Sequence, residues 1–416
     1  MSVLYTIGIL LYSFGVRMAA LFGNAKAEQW VKGRQKQRTA LRQAQEPDSW
    51  IWFHAASLGE FEQGRPVIEA LKKEFPQYKI LLSFFSPSGY EVRKDYPLAD
   101  EVLYLPSDTP AHATQWVQRH HFVAAFFIKY EFWFNYMRAL KEAGIPLFYI
   151  SLILKPDSYF FRWYGTWFFR QLKNVTHFFV QDDTTAQLLQ SNDMTNVTVC
   201  GDTRFDRVAA IAKQAKPFPE IEHFIENKQY GIGKRQCIIA GSTWPPDEKL
   251  LVEFYKQLPD DYCLIIAPHD ISASHVAQIQ SLFPECQLYT ELNPEIQSKV
   301  LVINTIGILS QLYQYARFVY IGGGFGVNIH NIQEPVTFGC PVVFGPKYKS
   351  FKEAVDLVGL EGAFAVNNAS EMAEVFHRLM TDEVFYAKAS ETCKNYLNSQ
   401  VGATESILKG FKKVLF

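Results

Sequence analysis

Short apolar runs alternate with amphipathic stretches along most of this chain, and the alternation forms two series. The first series lies between Ser49 and Asp202, and its predicted strands are WIWFHAA, KILLSFFS, EVLYLP, FVAAFFIKY, PLFYISLIL, THFFVQD and VTVCGD. The second series contains CIIAGST, YCLIIAPHD, VLVINTI, FVYIGGG, PVVFGP and AFAVN. Continuous apolar strands separated by helices are typical of parallel sheets that are covered on both faces.

The two series predict two doubly wound, Rossmann-like α/β domains, residues 25–212 and 236–390, facing each other across a cleft. Residues 213–235 between them are rich in Pro, Gly and charge, which breaks both periodicities and predicts a linker. From Asp382 to Phe416 the pattern is helical throughout, and residues 391–416 are predicted to pack back on the N-terminal domain. Many enzymes and binding proteins share such a fold, so the pattern alone does not name an activity.

Residues 1–24 form a separate segment, because VLYTIGILLYSFGVRMAALF is almost long enough to cross a bilayer and carries only Arg17 as a charge. Basic residues from Lys26 to Arg42 follow it, which predicts that the rest of the chain is cytoplasmic. No small-residue cleavage site follows the apolar run, which argues against a removed signal peptide. Three interpretations stay open: an inserted membrane anchor, an interfacial helix among the lipid headgroups, and a buried core helix.

Composition and charge exclude several classes of protein. Apolar residues make up 48% of the chain and charged residues 20%, which excludes a disordered or fibrous protein. The formal net charge of −1 gives no global attraction to nucleic acid, and no nucleic-acid partner is expected. The sequence carries no HExxH, paired Asp-x-Asp or Cys/His cluster, so neither a metal site nor a cofactor is expected.

The first candidate for chemistry is HAASLGE at the end of the first predicted strand, where Ser57, Gly59 and Glu60 begin a helix. Ser57 and Gly59 are expected to expose backbone N–H groups to a ligand at this turn. A carboxylate at this position can accept the proton of a substrate hydroxyl, and the helix end is expected to favour its ionised form. The alternative is that Glu60 is only a favourable acid in the first helical turn.

The second candidate is FIKYEFW at the end of the fourth predicted strand. Lys129 and Glu131 are two residues apart, so in a strand they point the same way. They are expected to pair with one another or to bind a charged acceptor, and an ordinary surface ion pair is the alternative.

The third candidate is a set of turns in the second series, at the carboxyl ends of three strands. They are Gly241-Ser242-Thr243, Ala267-Pro268-His269 and Gly322-Gly323-Gly324-Phe325-Gly326. Together they predict backbone amides and an imidazole around one phosphate of a nucleotide. Asn331 and Glu334 follow the glycines, where Glu334 is expected to reach a ribose diol; a plain helix-capping box is the alternative. Arg204, beside the predicted linker, is expected to neutralise the phosphate.

Taken in order, these motifs resemble one family, the 3-deoxy-D-manno-octulosonic acid (Kdo) transferases of lipopolysaccharide assembly. The motifs that carry the resemblance are HAASLGE, KYEFW, GDTRFD, GST, APH, GGG, HNIQEP and GCPVVFGP, from Trp50 to about Val358. The resemblance implies a GT-B fold. It further implies an inverting, metal-independent transfer of Kdo from CMP-Kdo, a substrate and not a cofactor, to the lipid A precursor (lipid IVA) on the cytoplasmic face of the inner membrane.

The resemblance also implies roles for individual residues. Glu60 matches the general base, and Glu131 matches a second acidic residue on the acceptor side, beside Lys129, Ser57 and Gly59. The residues that match the CMP pocket are Arg204, Pro268, His269, Gly323, Gly324, Asn331 and Glu334, with Ser242 and Thr243 beside it. One position departs from the family, because Ile153 stands where many members have Arg, and Lys155 is the candidate substitute.

Two further functions remain alternatives at this point. One is a GT-B transferase that uses a UDP-sugar or GDP-sugar, and the other is a membrane-tethered nucleotide-sugar-binding protein without turnover. The segment SYFFRWYGTWFFRQLK is either a cationic aromatic surface for a phosphorylated glycolipid or a helix with a buried aromatic stripe.

Overall fold

The computed structural model describes residues 2–40, 48–227, 233–293 and 295–416. The chain divides into two compact units. The first contains Met1–Asp206 and Gln400–Phe416, and the second contains Arg207–Ser399. Residues 213–227, from the segment predicted as a linker, lie in the second unit and include a helix, while residues 228–232 and the end of the basic run at Arg42 fall outside the described residues.

The first unit is built on a seven-stranded sheet in which every neighbouring pair is parallel. Its strands are β1 (Ser49–Ala55), β2 (Lys79–Phe84), β3 (Glu101–Tyr104), β4 (His121–Ile128), β5 (Leu147–Leu152), β6 (His177–Val180) and β7 (Val197–Val199). Their order is β3-β2-β1-β4-β5-β6-β7. The chain therefore changes direction across the sheet between β1 and β4, which is where doubly wound sheets bind ligands.

The second unit repeats this topology. Its strands are β8 (Glu226–Asn227), β9 (Gly233–Lys234), β10 (Gln236–Thr243), β11 (Tyr262–Pro268), β12 (Gln287–Leu288), β13 (Val300–Val302), β14 (Ala316–Ile321), β15 (Val342–Phe344) and β16 (Ala363–Ala365). The parallel seven-stranded sheet has the order β12-β13-β11-β10-β14-β15-β16, and β8 and β9 form a separate antiparallel pair. Its switch point lies between β10 and β14.

Helices connect the strands in both units. They are α1 (Ser2–Leu21), α2 (Ala25–Ala40), α3 (Leu58–Glu74), α4 (Pro87–Arg93), α5 (Pro110–Val117), α6 (Phe134–Glu142), α7 (Thr166–Gln171), α8 (Asp183–Gln190), α9 (Thr203–Lys213), α10 (Pro219–Ile225), α11 (Pro245–Tyr255), α12 (Ala273–Leu282), α13 (Leu309–Leu312), α14 (Gln333–Thr337), α15 (Lys352–Gly359), α16 (Ala369–Thr381), α17 (Glu383–Gln400) and α18 (Ala403–Leu415). The predicted strands and their parallel arrangement are confirmed, although the short β12 carries too few residues for a sequence pattern.

The C-terminal segment is two helices, so the prediction of one continuous helical pattern from Asp382 was wrong. The break falls at Gly402, whose backbone is left-handed with φ of +109°. The Asp206 carboxylate accepts hydrogen bonds from the N–H groups of Gly402 and Thr404, each 2.6 Å long, and these bonds fix the start of α18. Ile407 and Phe411 of α18 are fully buried in the core of the first unit, where Phe411 packs on Phe126.

Helix α1 lies along the first unit and leaves most of its apolar surface exposed. The Tyr5 hydroxyl donates to Asp108 Oδ2 at 2.6 Å, and the Ser13 and Ser107 hydroxyl oxygens are 2.9 Å apart. Only 6% of its most apolar window is buried, so the interpretation of α1 as a buried core helix was wrong. By length and composition α1 is apolar enough to cross a membrane.

One member of the basic run after α1 is not available to lipid. The Arg34 guanidinium packs on the Trp30 ring at 3.7 Å and donates to the carbonyl oxygens of Leu105, at 3.1 Å, and Phe85, at 2.9 Å. Arg34 thus joins α2 to the ends of the strands, because a guanidinium satisfies its N–H groups with carbonyls and aromatic faces.

Candidate active site

The carboxyl ends of β1 and β4 carry the candidate catalytic groups of the first unit. His54 lies near the end of β1, and Glu60 lies in the first turn of α3, which follows it. Glu131 comes three residues after the end of β4. Since β1 and β4 are neighbours at the switch point, the fold brings two segments that are far apart in sequence to the same edge of the sheet.

Glu60 is held by the backbone at the start of α3. Its Oε2 atom accepts hydrogen bonds from the N–H groups of Ala56 (2.6 Å) and Ser57 (3.3 Å). Burial, followed by the negative charge of Glu131, raises the pKa of Glu60 to about 7, while these N–H groups and Lys129 oppose the shift. The N–H groups at the helix end do favour the ionised form, as expected, but burial and a second carboxylate outweigh them, so the expectation that Glu60 is only a modest base was wrong.

A Glu60 pKa near 7 suits a general base better than the usual value of 4.5, since basicity then matches the working pH. The same carboxylate also acts as an ordinary first-turn acid, so the two interpretations of Glu60 are compatible. The Ser57 N–H is bound to Glu60 and is not open to a ligand. Gly59 is exposed, and a side chain there would meet nothing within 4 Å.

Glu131 is buried and belongs to a polar cluster inside the first unit. Its Oε2 atom is 3.1 Å from His54 Nε2 and 2.7 Å from Trp133 Nε1. Its backbone carbonyl accepts a 2.7 Å hydrogen bond from the Tyr149 hydroxyl. The carboxylate is thereby fixed in one orientation on the Glu60 side of the sheet.

Lys129 does not continue the strand geometry that the sequence interpretation assumed. Strand β4 ends at Ile128, and Lys129 has a left-handed backbone with φ of +63°. The period-two alternation therefore stops before Lys129, and Glu131 is buried while Lys129 is partly exposed. The Lys129 ammonium lies 5.3 Å from the centre of the Tyr130 ring, and its charge lowers the pKa of Glu60.

In the second unit, three predicted turns meet at the ends of β10, β11 and β14. The His269 N–H donates to the Thr243 carbonyl at 3.0 Å, and the Gly322 N–H donates to the Gly241 carbonyl at 2.9 Å. These bonds join the three turns at the switch point of the sheet. The arrangement agrees with the sequence expectation that the turns lie together.

Asp247 ties the turns together and was missed by the sequence interpretation. Its buried Oδ2 atom accepts hydrogen bonds from the N–H groups of Gly323 and Trp244, each 2.9 Å long, and Oδ1 accepts one of 2.7 Å from the Tyr320 hydroxyl. The Gly323 amide is therefore occupied within the protein. The spacing of Trp244 and Asp247 is that of a helix N-cap and its third residue, a signal that was available in the sequence.

Glycine is required where the β14 turn passes other backbone. A Cβ atom on Gly324 would lie 2.7 Å from the Cα and N atoms of Gly345, and one on Gly323 would lie 2.4 Å from the Asn328 carbonyl oxygen. Gly323 also has φ of +90°, which disfavours any side chain. The glycines thus permit close backbone packing around the turn.

His269 belongs to a stack of three rings beside this turn. Its ring centre lies 4.7 Å from Trp244 and 4.4 Å from His330, and both pairs are stacked. Trp244 Nε1 donates to His330 Nε2 at 3.0 Å, so that nitrogen of His330 is an acceptor. Burial, and secondly the charge of His269, lowers the pKa of His330. The stack offers a flat aromatic surface, of which Trp244 and His330 were not predicted as site residues.

Asn331 and Glu334 lie at the start of the short helix α14. The Asn331 side chain accepts a hydrogen bond from the Gln333 N–H at 3.0 Å, although the N-cap position of the helix is Ile332. Burial raises the pKa of Glu334, against the opposing influences of Arg207 and of a hydrogen bond with Asn331. Asn331 therefore precedes the N-cap and does not occupy it, and its role toward a ligand stays a prediction.

The remaining predicted donor residues lie in different surroundings. Ser242 has a left-handed backbone with φ of +54°, the Thr243 hydroxyl donates to Glu248 at 2.9 Å, and Pro268 ends β11. Arg204 belongs to the first unit, where its guanidinium binds Asp202 Oδ2 through two nitrogens, at 2.9 and 2.7 Å.

Comparison with known proteins agrees with this arrangement. Residues 32–207 match the family model described as 3-deoxy-D-manno-octulosonic-acid transferase (kdotransferase). The 3-deoxy-D-manno-octulosonic acid transferase of Aquifex aeolicus is 24% identical over 340 residues, which cover 80% of this chain and 86% of that protein. The protein of the same name from Rickettsia bellii is 23% identical over 385 residues, covering 89% and 88%.

Among solved structures, UDP-GlcNAc 2-epimerase from Neisseria meningitidis bound to UDP-GlcNAc matches with a TM-score of 0.59 and 15% identity, covering 88% of this chain and 100% of that one. This likeness concerns the fold, two Rossmann-like units of the GT-B type. The class follows from the family match and the curated relatives: the chain is a glycosyltransferase. Within that class, it is a relative of the Kdo transferases.

Proposed function

We propose that this protein transfers Kdo from CMP-Kdo to the lipid A precursor (lipid IVA) in lipopolysaccharide assembly, with inversion and without a metal ion. Glu60 accepts the proton of the acceptor hydroxyl as the hydroxyl oxygen bonds to the anomeric carbon of Kdo. The bond from that carbon to the CMP phosphate breaks, and CMP leaves with the electron pair. A single displacement of this kind inverts the anomeric configuration.

The observation that carries the proposal is the environment of Glu60. It is a carboxylate at a ligand-binding edge of a doubly wound sheet, fixed by two backbone N–H groups, with a pKa raised to about 7. A base of this strength is half ionised near neutral pH and is oriented before the substrate binds. Glu131 and Lys129 supply the negative and positive charges around it, and Gly59 leaves room on the acceptor side.

The proposal assigns CMP to the second unit. The aromatic stack of Trp244, His269 and His330 supports a nucleotide there, and the glycine turn after β14 lets backbone approach the phosphate closely. Glu334, half-buried beside Asn331, is assigned to the ribose hydroxyls. Arg204 is retained as the residue that neutralises the donor phosphate, and we expect its Asp202 partner to keep the guanidinium in place.

The membrane assignment is part of the same proposal. Tyr5 and Ser13 both bond to the first unit although they are two helical turns apart, so α1 lies along the unit. Its other residues expose a row of apolar side chains, including Leu4, Leu11 and Phe14. These contacts favour an interfacial helix over a spanning anchor, on the cytoplasmic face of the inner membrane.

An aromatic segment next to α1 extends this surface. Trp167 packs 5.9 Å from Tyr5, and Trp163 nearby in the chain has an exposure of 90%. Arg162, Arg170 and Lys173 are exposed as well, while Phe160 is buried. The exposed aromatic and basic residues of this segment support its assignment as a surface for a phosphorylated glycolipid.

The test is mass spectrometry of a tetra-acylated lipid A precursor incubated with CMP-Kdo and each protein variant. We expect wild type to add the mass of one or more Kdo units and Glu60→Ala to add none within the same time. Glu69→Ala is the matched control on α3, because Glu69 forms only a partly exposed ion pair with Arg65. Absence of product with wild type would contradict the proposal.

The donor and the metal are tested in the same assay. CMP is expected to inhibit the reaction and UDP to leave it unchanged, whereas inhibition by UDP alone would indicate a UDP-sugar transferase. A chelator is expected to leave the rate unchanged, and restoration of a lost rate by a divalent cation would overturn the metal-independent mechanism. Glu334→Ala is expected to weaken CMP binding about tenfold in calorimetry, as the loss of a hydrogen bond to a charged group does.

A further inference from the structure

His54 is a fully buried titratable side chain that the proposed chemistry does not yet use. It lies on β1 between β2 and β4, where its ring contacts polar groups on both sides. Nδ1 is 2.8 Å from the Ser83 hydroxyl oxygen and 3.2 Å from the Ser83 carbonyl oxygen. Nε2 is 3.1 Å from Glu131 Oε2. A buried imidazole with partners on both nitrogens has a fixed ring orientation.

The contacts around His54 Nε2 indicate which of the neighbouring atoms donate hydrogen bonds and which accept them. Glu131 Oε2, His54 Nε2 and Trp133 Nε1 form a triangle with sides of 3.1, 2.9 and 2.7 Å. The indole nitrogen is always a donor, and an ionised carboxylate is only an acceptor. The Trp133 Nε1–H reaches both Glu131 Oε2 at 2.7 Å and His54 Nε2 at 2.9 Å, and the shorter contact is the one to Glu131. An unprotonated Nε2 would turn its lone pair toward the Glu131 oxygen at 3.1 Å, so a hydrogen on Nε2 that donates to Glu131 avoids this repulsion.

Ser83 fixes the opposite side of the ring. Trp52 Nε1 donates to the Ser83 hydroxyl oxygen at 2.7 Å, which leaves the hydroxyl hydrogen for another acceptor. The candidates are His54 Nδ1 at 2.8 Å and the Phe53 carbonyl at 3.3 Å. The shorter contact favours donation to Nδ1, which places the ring hydrogen on Nε2, facing Glu131.

Glu131 connects this cluster to the base. Its negative charge is the second largest cause of the raised pKa of Glu60, after burial. The other charged or titratable groups around Glu60 are Lys129, whose charge opposes the shift, and Tyr130, whose pKa Glu60 helps to raise. A carboxylate that accepts two N–H bonds keeps its charge better than one without donors. His54 is thus in a position to act on Glu60 through Glu131.

We propose that His54 is a positioning residue, which donates its Nε2–H to Glu131 and thereby holds the Glu131 carboxylate in place beside the catalytic base Glu60. The inference rests on the proposed function for its effect on turnover. The hydrogen bond itself is a property of the first unit, and it can be measured without any substrate.

The experiment compares His54→Asn with His54→Gln. The Gln amide nitrogen reaches the place of Nε2 and keeps a donor for Glu131, whereas the shorter Asn reaches only the place of Nδ1. We expect His54→Asn to lower kcat roughly 10- to 100-fold with the KM for CMP-Kdo unchanged, a smaller loss than removal of the base itself gives. His54→Gln is expected to restore most of that loss.

The pH profile separates positioning from packing. Glu131→Gln removes the negative charge beside Glu60, so the acid limb of kcat is expected to move to lower pH, and His54→Asn is expected to move it in the same direction. An unchanged acid limb in either variant would overturn the proposal. Equal losses in His54→Asn and His54→Gln, with equal losses of thermal stability, would show that His54 only fills space.

A second measurement does not depend on turnover. Nitrogen NMR of the ring, with the His54 signal identified by its absence in His54→Asn, is expected to show hydrogen on Nε2. A ring protonated on Nδ1 alone would overturn the proposal. If wild type makes no product but the Nε2 signal is present, the proposed function fails and the His54–Glu131 hydrogen bond stands.

Discussion

The two units share one sheet topology but build different sites at the switch point. In the first, titratable side chains dominate: Glu60, Glu131 and His54 lie around the ends of β1 and β4. In the second, backbone amides, glycines and aromatic rings dominate, and the buried Asp247 carboxylate is already bound to two N–H groups and a hydroxyl. The proposal therefore assigns proton transfer to one unit and nucleotide binding to the other, because the residues after the strands differ.

The largest expected difference between the units follows from removal of Glu60. Glu60→Ala is expected to lower turnover about a hundredfold or more, the range for loss of a general base, and to leave CMP binding unchanged. Turnover measured by mass spectrometry and CMP affinity measured by calorimetry check the two parts. A loss of CMP affinity in this variant would contradict the assignment of the base to the first unit and of CMP binding to the second.

Glycine substitutions test whether the second site depends on backbone packing. Gly324→Ala is expected to lower the free energy of unfolding by about 1–3 kcal/mol, because the new Cβ would lie 2.7 Å from the Gly345 backbone. Gly59→Ala is the matched control in the first unit, where nothing lies within 4 Å. Denaturant unfolding measures both. Equal losses of stability in the two variants would contradict the claim that close backbone packing constrains the second site and not the first.

Vesicle binding compares an exposed apolar residue of the first unit with one of the second. Leu11, on α1, has an exposure of 65%, and Val384, on α17, one of 82%. Leu11→Ser is expected to weaken binding to vesicles with anionic lipid about tenfold, from the transfer free energy of one apolar side chain. Val384→Ser is expected to change nothing, since the proposal assigns no lipid contact to the second unit. Sedimentation with vesicles measures both variants.

The last prediction concerns the pH dependence of kcat and of the free energy of unfolding. Glu60 has to be ionised to accept a proton, so kcat is expected to be about half its plateau near pH 7 and to fall about tenfold per pH unit below that, given a pKa of about 7. The folded state binds this proton more tightly than the unfolded chain, whose pKa is near the usual 4.5. The free energy of unfolding is therefore expected to fall as pH rises from about 4.5 to about 7.

Glu60→Gln is the control for that pH dependence. Without a titrating carboxyl, the decrease in the free energy of unfolding over this range is expected to become shallower in denaturant titrations. An unchanged slope would mean that Glu60 titrates alike in the folded and unfolded states, contrary to its burial.

Sequence reasoning reached much of the fold and part of the site. The apolar runs predicted the parallel strands because buried strands need continuous apolar residues. HAASLGE and the glycine turns were recognised because turns at strand ends use few residue types. Asp247 and Trp244 were not predicted, because their contacts with Tyr320, Gly323, His269 and His330 form only in the tertiary structure. Glu60 was also misjudged, because its pKa depends on Glu131, a residue that is distant in sequence.

The sequence by itself determined the alternation of strands and helices, the two doubly wound domains and the apolar segment at residues 3–22, because each depends on local pattern. Only the tertiary structure decided that α1 lies along the first unit, that the C-terminal helix breaks at Gly402, and that Glu131 is held between His54 and Trp133. Those features depend on hydrogen bonds and charges between residues far apart in the chain. Local propensity and periodicity do not contain that information.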